Sequence, residues 1–298
     1  MALLAHRLPE NAPGDLFVDA SCIACDTCRR VAPGVYGGGP WDRATVARQP
    51  ASAAEWHRAL MSLVSCPVSA IGTTPRRPAA EAARAARAFP DPVDVAAGVY
   101  QCGYAAESSF GAASWLVVRP GGNVLVDSPR FARPLLRGIE RLRGARWLFL
   151  THRDDVADHA RWAEALGCER ILHARDVSRA TAGVERLVEG GDPVALAPDL
   201  LLVPVPGHTA GSLALLYRER WLFTGDHLWA GADGRLEADR DVCWHSWSEQ
   251  TRSMQRLLDL RFEAVLPGHG RPWRAGSPAK ARAEVARVVR AMESGSTG

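Results

Sequence analysis

From residue 93 onward, short apolar runs alternate with segments whose apolar residues recur at helical spacing. The apolar runs predict strands, several of them buried, at 113–118, 123–126, 146–150, 170–173, 200–204, 212–217, 220–223 and 264–266. The helical spacing predicts helices at 133–142, 156–166, 248–260 and 278–292. Strands and helices mixed in this order indicate a layered α/β or α+β domain. Periodicity alone does not choose between a doubly wound sheet and a two-sheet sandwich.

The first 72 residues differ from the rest, because they are rich in cysteine and turn residues. Residues 73–92 follow with two proline-containing stretches, and proline interrupts regular structure. Between these stretches, an Ala/Arg segment at 79–88 is long enough for one or two helical turns. The sequence therefore predicts a small domain over 1–72, a linker over 73–92 and a larger domain over 93–298.

Composition narrows the classes of partner. The 36 basic and 33 acidic residues give a net charge of +3, which is too balanced to favour nucleic acid as a partner. No apolar run approaches the roughly 20 residues that cross a bilayer, and the first ten residues make a poor signal peptide. The seven cysteines are an odd number and unevenly distributed, which favours a reducing cytoplasm over a disulfide framework.

Four cysteines form a metal-cluster pattern: Cys22, Cys25 and Cys28 at successive three-residue spacings, and Cys66 followed by Pro67. Thiolates hold cubane clusters, and this spacing wraps one loop around three irons while the remote cysteine closes the fourth corner. Zinc is the alternative, but zinc sites usually show paired Cys-x-x-Cys units. The pattern predicts one [4Fe–4S] cluster.

Residues 16–72 resemble a small single-cluster bacterial ferredoxin. The resemblance rests on Val18-Asp19 before the first cysteine, on Ala-Pro-Gly-Val at 32–35 after the third, and on Cys-Pro-Val-Ser-Ala-Ile at 66–71. It implies a carrier of one electron.

Four polar motifs each follow a strand-like apolar run in the 93–298 region. They are Thr-His-Arg-Asp-Asp-Val-Ala-Asp-His at 151–159, Pro-Gly-His-Thr-Ala-Gly-Ser at 206–212, Thr-Gly-Asp-His at 224–227 and Leu-Pro-Gly-His-Gly at 266–270. Loops at strand ends are where sites are commonly built. Imidazoles and carboxylates that recur there are what a divalent metal site needs.

This set of motifs resembles the metallo-β-lactamase superfamily over residues 93–293, with Val126-Asp127 matching the family's early strand-end aspartate. The resemblance implies an α+β chain whose second domain is a four-layer αβ/βα sandwich with one or two divalent metals. Zinc is the expected metal, and iron is the alternative. The implied metal ligands are His152, Asp154, Asp158, His159, His208, Asp226 and His269. Asp158 and Asp226 carry the implied catalytic roles: Asp158 orients the nucleophile or accepts its proton, and Asp226 bridges two metals or holds one.

The first motif departs from the family pattern H-x-H-x-D-H, because Asp154 stands at the second histidine and Asp158-His159 arrives two residues late. If the extra residues form a turn, Asp154 takes the place of that histidine. If the helix begins earlier, neither Asp154 nor Asp155 need reach the metal.

Three functions stay open. In the first, a metal-bound hydroxide attacks an ester, thioester, lactone or phosphodiester of a small-molecule substrate. In the second, the cluster receives electrons from an external redox partner and feeds them to a mono- or di-iron site. The third is a non-catalytic protein for sensing or docking.

Overall fold

The computed structural model describes residues 1–38 and 42–295. Residues 39–41 of the predicted small domain and 296–298 of the predicted larger domain lie outside the described residues. The chain divides into two compact units. The first contains Met1–Trp147 and Ala157–Cys168, and the second contains Leu148–Val156 and Glu169–Gly298.

The first unit contains eight strands and five α-helices among the described residues. They are β1 (Leu16–Val18), α1 (Thr27–Val31), β2 (Tyr36–Gly37), β3 (Thr45–Val46), α2 (Ala53–Ser65), β4 (Ile71–Thr73), α3 (Ala79–Ala86), β5 (Asp91–Asp94), β6 (Val99–Gln101), β7 (Trp115–Val117), β8 (Val124–Val126), α4 (Arg133–Arg141) and α5 (His159–Leu166). β1 pairs with β4, β2 pairs with β3, and β5 to β8 pair in chain order, all antiparallel.

The N-terminal part of the first unit has its own small core. Helix α2 begins at a serine cap, where Ser52 accepts a hydrogen bond from the backbone N–H of Glu55. The core joins β1, α1, α2 and β4 through Leu16, Val18, Cys28, Val35, Tyr36, Ala59 and Ile71. A cysteine of the predicted cluster motif is therefore part of this core, so the motif is built into the fold rather than attached to its surface.

The predicted linker lies inside the first unit. It contains α3, which confirms the predicted helical turns, and its last two residues begin β5, which the prolines had argued against. An ion pair of 2.6 Å between Arg58 in α2 and Asp91 in β5 ties this segment to the N-terminal region. The division into domains at 1–72 and 93–298 stays a prediction.

The second unit is mostly sheet. Its elements are β9 (Trp147–Phe149, from its second residue), β10 (Glu169–His173), β11 (Arg186–Val188), β12 (Val194–Ala197), β13 (Leu200–Pro204), β14 (Leu213–Tyr217), β15 (Trp221–Gly225), β16 (Trp229–Ala230), β17 (Leu236–Glu237), α6 (Trp247–Arg256), β18 (Ala264–Pro267), β19 (Trp273–Arg274) and α7 (Pro278–Ser294). Six strands form one sheet in the order β12-β13-β14-β15-β18-β19.

Helices α6 and α7 bury their apolar faces against this six-stranded sheet. Met254 of α6 and Val285 of α7 join Leu216 and Val265 of the sheet in one core. Every residue of β14 and β15 is buried, as their apolar sequences predict. Within the sheet only β15 and β18 run parallel, so their carboxyl ends lie at the same edge.

One difference from the predicted elements concerns the first motif: α5 begins at His159 rather than near residue 156. Residues 152–158 form bends and turns instead. The first motif is therefore not helical, and of the two arrangements considered above the turn is the one present. Among residues 1–38 and 42–295, no helix combines the length and apolar character that crossing a bilayer requires.

Candidate metal centres

The four cysteines of the predicted cluster line a single cavity in the first unit. Its other walls are mainly apolar and come from Val18, Ile23, Asp26, Thr27, Ala44, Pro67, Val68, Ala70 and Ile71. The loop between Cys22 and Cys28 is shaped by two residues with left-handed backbone angles, Ala24 and Asp26. Four thiols facing one apolar cavity have the donor chemistry of a cubane site, so the residues present fit the predicted [4Fe–4S] cluster.

The thiols of this cavity act on one another electrostatically. Burial, with a contribution from the neighbouring Cys25, raises the pKa of Cys28 well above its ordinary value. Burial also raises the pKa of Cys66 to about 11. The backbone N–H of Ala70 donates a hydrogen bond of 3.3 Å to the Cys66 sulfur. An N–H directed at sulfur is the kind of contact that tunes the potential of a bound cluster.

The second candidate centre lies in the second unit, at the ends of four strands. His152 follows β9, His208 follows β13, Asp226 directly follows β15, and His269 follows β18. Because β15 and β18 are parallel neighbours, Asp226 and His269 come together at one edge of the sheet. The predicted placement of these side chains in loops at strand ends is confirmed.

Asp226 lies in the middle of the second candidate centre. Its Oδ2 atom is 3.8 Å from Nε2 of His152, 3.8 Å from Nε2 of His208 and 2.8 Å from Nδ1 of His269. The backbone N–H of His269 also donates to Oδ1 of Asp226 at 3.2 Å. One carboxylate thus faces three imidazoles, which is the arrangement expected of a residue that holds or bridges metal ions.

Asp154 and Asp155, which are adjacent in the first motif, lie near different imidazoles of the second centre. Oδ2 of Asp154 is 3.6 Å from Nε2 of His208. Oδ2 of Asp155 is 3.8 Å from Nε2 of His152 and 3.8 Å from Nδ1 of His269. Asp155 is buried, whereas the Asp154 side chain is 45% exposed. Asp155 was absent from the predicted ligand set, because the family spacing H-x-H places Asp154, and not Asp155, at the second histidine.

Two imidazole nitrogens provide the test of whether these residues fit a metal. Over the described ranges 1–38 and 42–295, Nε2 of His152 and Nε2 of His208 are buried without a hydrogen-bond partner. Their 3.6–3.8 Å separations from carboxylate oxygens are too long for hydrogen bonds. Two ligand atoms that share a tetrahedral ion at about 2.0–2.2 Å lie about 3.4 Å apart.

The side chains that could share an ion form two groups: His152, Asp154 and His208, and His152, Asp155 and Asp226. The Nδ1 atom of His208 donates to the carbonyl oxygen of Val242 at 2.6 Å, which directs its Nε2 lone pair towards the carboxylates. The residues present therefore fit one or two divalent ions.

Burial and charge act in opposite directions on these groups. Burial lowers the pKa of His152 to about 4, so the ring is neutral near pH 7 and offers a lone pair. Burial also acts to lower the pKa of His208, but the carboxylates of Asp154 and Asp226 outweigh it and raise that pKa. For Asp226, burial alone would raise the pKa, yet His269 foremost among the imidazoles holds it far below its ordinary value.

Asp158 and His159 of the predicted ligand set belong to the first unit. Asp158 is the residue before α5, and its Oδ2 atom accepts a hydrogen bond of 2.7 Å from the backbone N–H of Phe131. His159 is the first residue of α5 and is buried. Their roles as ligands stay predictions.

The aromatic residues near the second centre differ in exposure. Trp229 is fully buried and donates from Nε1 to Glu237, and Trp247 packs against the core of the second unit. Trp244 is 64% exposed, with its ring centroid 6.2 Å from that of His208. His227 is buried, and burial lowers its pKa to about 3.

Comparison with protein families agrees with both centres. The family described as "Metallo-beta-lactamase superfamily" matches residues 100–284, which is more than half of the chain. The chain belongs to the metallo-β-lactamase superfamily. The family described as "4Fe-4S single cluster domain of Ferredoxin I" matches residues 18–73, which contain all four cysteines of the cavity. The predicted fold class, a ferredoxin-like region followed by a metallo-β-lactamase fold, is confirmed.

Among curated proteins, the chain is similar to hydroxyacylglutathione hydrolases. It is 34% identical over 134 residues to that of Rhodospirillum rubrum, covering 43% of this chain and 52% of the relative. It is 42% identical over 90 residues to that of Anaeromyxobacter dehalogenans, covering 29% and 34%. The chain therefore spans about half the length, or less, of these curated relatives.

Among solved structures, ETHE1 from Myxococcus xanthus aligns with a TM-score of 0.47 and 20% identity, covering 65% of this chain and 89% of that one. The DIM-1 metallo-beta-lactamase exposed to ceftazidime aligns with a TM-score of 0.49 and 14% identity, covering 66% and 95%.

Proposed function

We propose that this protein is a metal-dependent hydrolase of small-molecule acyl thioesters whose N-terminal region carries one [4Fe–4S] cluster. The main support is that His152, His208 and Asp226 converge on one centre. Among the described residues, the Nε2 atoms of the two histidines are buried and have no hydrogen-bond partner. The thioester class comes from the relatives, whose name, hydroxyacylglutathione hydrolase, denotes cleavage of such a bond.

The chain's own residues prepare this chemistry. A divalent ion bound at the centre would act as a Lewis acid and would lower the pKa of a bound water to about 7. The carbonyl of Val242 fixes the tautomer of His208, and Asp226 fixes the ring of His269. Asp158 is proposed to orient the nucleophile or take its proton. Trp244 presents an exposed ring beside His208, where an acyl chain could pack.

The test is hydrolysis of an S-acyl thioester by protein purified without oxygen. Asp226→Ala and His208→Ala should each lower kcat/KM about a thousandfold, because several kcal/mol of transition-state stabilisation depend on the bound ion. Exposed residues of the same types provide the matched controls, and His6→Ala and Asp192→Ala should retain native activity. Retention of full activity by Asp226→Ala would refute the proposal.

A second candidate function, iron-dependent oxidoreduction, is favoured by hydrogen bonds inside the first unit. Arg130 donates from Nη2 to the carbonyl of Val64 at 3.1 Å, near the end of the helix that leads into Cys66. The next residue, Phe131, donates its N–H to Asp158, a proposed metal ligand. Two adjacent residues thus contact both the cluster-bearing helix and a proposed ligand.

A second contact is closer to the cluster cavity. The hydroxyl of Thr27 and Nη2 of Arg30 donate to the carbonyl of Gly111 at 3.1 and 3.0 Å. Gly111 has a φ of +81°, and a Cβ added there would lie 2.7 Å from the sulfur of Cys25. In the oxidoreductase candidate, Cys22, Cys25, Cys28 and Cys66 would hold a cluster that supplies single electrons, and the residues of the second centre would hold iron. An external redox partner would be the source of those electrons. The electrons would reduce oxygen, a nitrogen oxide or a sulfur compound.

Metal and acid-labile sulfide content per chain separates the two candidates. About four iron and four sulfide with one or two zinc would support the hydrolase, and about five or six iron without zinc would support the oxidoreductase. We propose zinc as the native second-centre metal, because imidazole and carboxylate ligands suit it. We propose the cytoplasm as the location, because a cubane needs reduced cysteine ligands.

A further inference from the structure

The motif Pro-Gly-His-Thr-Ala-Gly-Ser contains one candidate metal ligand, His208, and also Thr209 and Gly211, which have no ligand role. Both residues donate hydrogen bonds to a single buried carboxylate, Asp176, which has none of its side-chain surface exposed. Asp176 ends the short helical turn after β10 and belongs to none of the motifs that identify the family here.

The carboxylate of Asp176 accepts hydrogen bonds from two of the four metal-ligand loops of the second unit. From the His208 loop, the hydroxyl of Thr209 donates to Oδ2 at 2.6 Å and the N–H of Gly211 donates to Oδ1 at 2.8 Å. From the first motif, the backbone N–H of Arg153 donates to Oδ2 at 3.1 Å. Arg153 lies between His152 and Asp154, so this bond fixes the backbone that carries two candidate ligands.

The position of the carboxylate is itself determined by its surroundings. The hydroxyl of Thr181 donates to the carbonyl oxygen of Asp176 at 3.2 Å and accepts the N–H of Ser178 at 2.8 Å. A Cβ added at Gly211 would lie 2.7 Å from Cγ of Asp176, so only glycine lets the loop approach this closely. A buried carboxylate requires this degree of hydrogen bonding, because an unpaired buried charge is strongly unfavourable.

We propose that Asp176 is a positioning residue for the second metal centre, and that it holds the loop of His152 and Asp154 at a fixed separation from the loop of His208. The inference rests on the proposed metal centre. The carboxylate is not itself a candidate metal ligand, since its oxygens accept hydrogen bonds from Thr209, Gly211 and Arg153. It acts by setting the distance between ligands that come from different strands.

The experiment uses the holoprotein with its [4Fe–4S] cluster in place. Its affinity for Zn²⁺ is measured by competition with a chromophoric chelator. The visible spectrum is then recorded as Co²⁺ is added. Asp176→Asn removes one acceptor oxygen at nearly constant volume and should weaken zinc binding about 10–100-fold, as loss of an outer-sphere partner usually does. The Co²⁺ bands should shift, because the ligand geometry changes. Asp192→Asn removes a carboxylate from an exposed position of the same unit and should change neither measurement.

A matched pair of variants keeps the inference testable if Asp176→Asn does not fold. Thr209→Val removes the hydroxyl at nearly constant shape and should weaken zinc binding several-fold, whereas Thr209→Ser keeps the hydroxyl and should bind like the native protein. A purely structural role would lower the Tm of each variant without changing the zinc affinity of the folded chain.

The outcomes separate the inference from the function on which it rests. If the native protein binds no metal beyond its cluster, the proposed second centre fails. If the native protein binds zinc and Asp176→Asn or Thr209→Val binds it within twofold of the native affinity, only the positioning role is overturned.

Discussion

The two candidate centres of this protein are built in opposite ways. In the cysteine cavity, three of four ligands lie between residues 22 and 28, on one loop with an apolar lining. In the second centre, the ligands come from the ends of β9, β13, β15 and β18, and they face one another as charged and polar groups. One centre depends on the path of a single loop, and the other depends on the register of strands far apart in sequence.

This difference determines what each centre tolerates. A local loop keeps its shape as long as its own backbone angles and its small core are intact. A centre assembled from four strand ends keeps its shape only if the separations between its loops are fixed. Asp176 is proposed to fix one of these separations, between the loop of His152 and Asp154 and the loop of His208. Each centre should therefore be removable without loss of the other.

The largest effect is expected for Cys28→Ala, which should eliminate the [4Fe–4S] cluster. Cys28 is a buried member of the N-terminal core, and a three-thiolate cavity leaves one iron without its ligand. Iron and sulfide analysis should show loss of cluster iron, while zinc in the second centre stays at the native level. Cys102→Ala, which removes a buried thiol outside the cavity, serves as the control. Simultaneous loss of zinc in Cys28→Ala would show that the two centres are not independent.

A smaller effect separates the two aspartates of the first motif. Asp155 is buried and lies near both His152 and His269, whereas Asp154 is half exposed and lies near His208. We expect Asp155→Asn to weaken zinc binding by at least about tenfold and Asp154→Asn by no more than about threefold, because solvent screens the exposed carboxylate. Isothermal titration of the two variants side by side makes this comparison. The reverse order would restore Asp154 as the replacement for the family's second histidine.

The smallest effect is expected for Gly111→Ala. The new Cβ would meet the Cβ and sulfur of Cys25, at a backbone angle that favours glycine. Thermal unfolding of the holoprotein should show that the free energy of unfolding falls by about 1–3 kcal/mol, and the [4Fe–4S] cluster should be released faster. Gly144→Ala is the matched control, because Gly144 also has a positive φ but has no atom within 4 Å of an added Cβ. Equal cluster release from both variants would contradict a specific contact with Cys25.

Sequence spacing was sufficient to predict the cysteine cavity, because its ligands are mostly local. It was also sufficient to place the second centre at strand ends, since each motif directly follows a buried apolar run. It was not sufficient to distinguish Asp155 from Asp154, because the direction of each side chain in an irregular turn depends on backbone angles that no periodicity reports. Asp176 could not be predicted at all, since its partners are the Thr209 hydroxyl and two backbone N–H groups, all in loops distant in sequence.

Three of the strands that were not predicted, β5, β11 and β12, also depend on contacts that their own sequences do not show. β5 begins with Asp-Pro, and β11 and β12 are short strands with exposed or half-exposed residues, so their apolar patterns are weak. Their pairing partners, rather than their own sequences, make them strands. By contrast, β13, β14 and β15 carry apolar runs that were predicted nearly to the residue.

The contacts that join the cluster-bearing region to the rest of the first unit have an evolutionary consequence. Several of their acceptors are main-chain carbonyls, those of Val64, Ser65 and Gly111. A carbonyl survives almost any change of its own side chain, so mutations at positions 64 and 65 can accumulate without altering what their carbonyls offer. Among the described residues, the side-chain donors Thr27, Arg30, Arg58 and Arg130 constrain this junction. A ferredoxin from another lineage could therefore be grafted here if its helices carried donors at the positions of Thr27, Arg30 and Arg58.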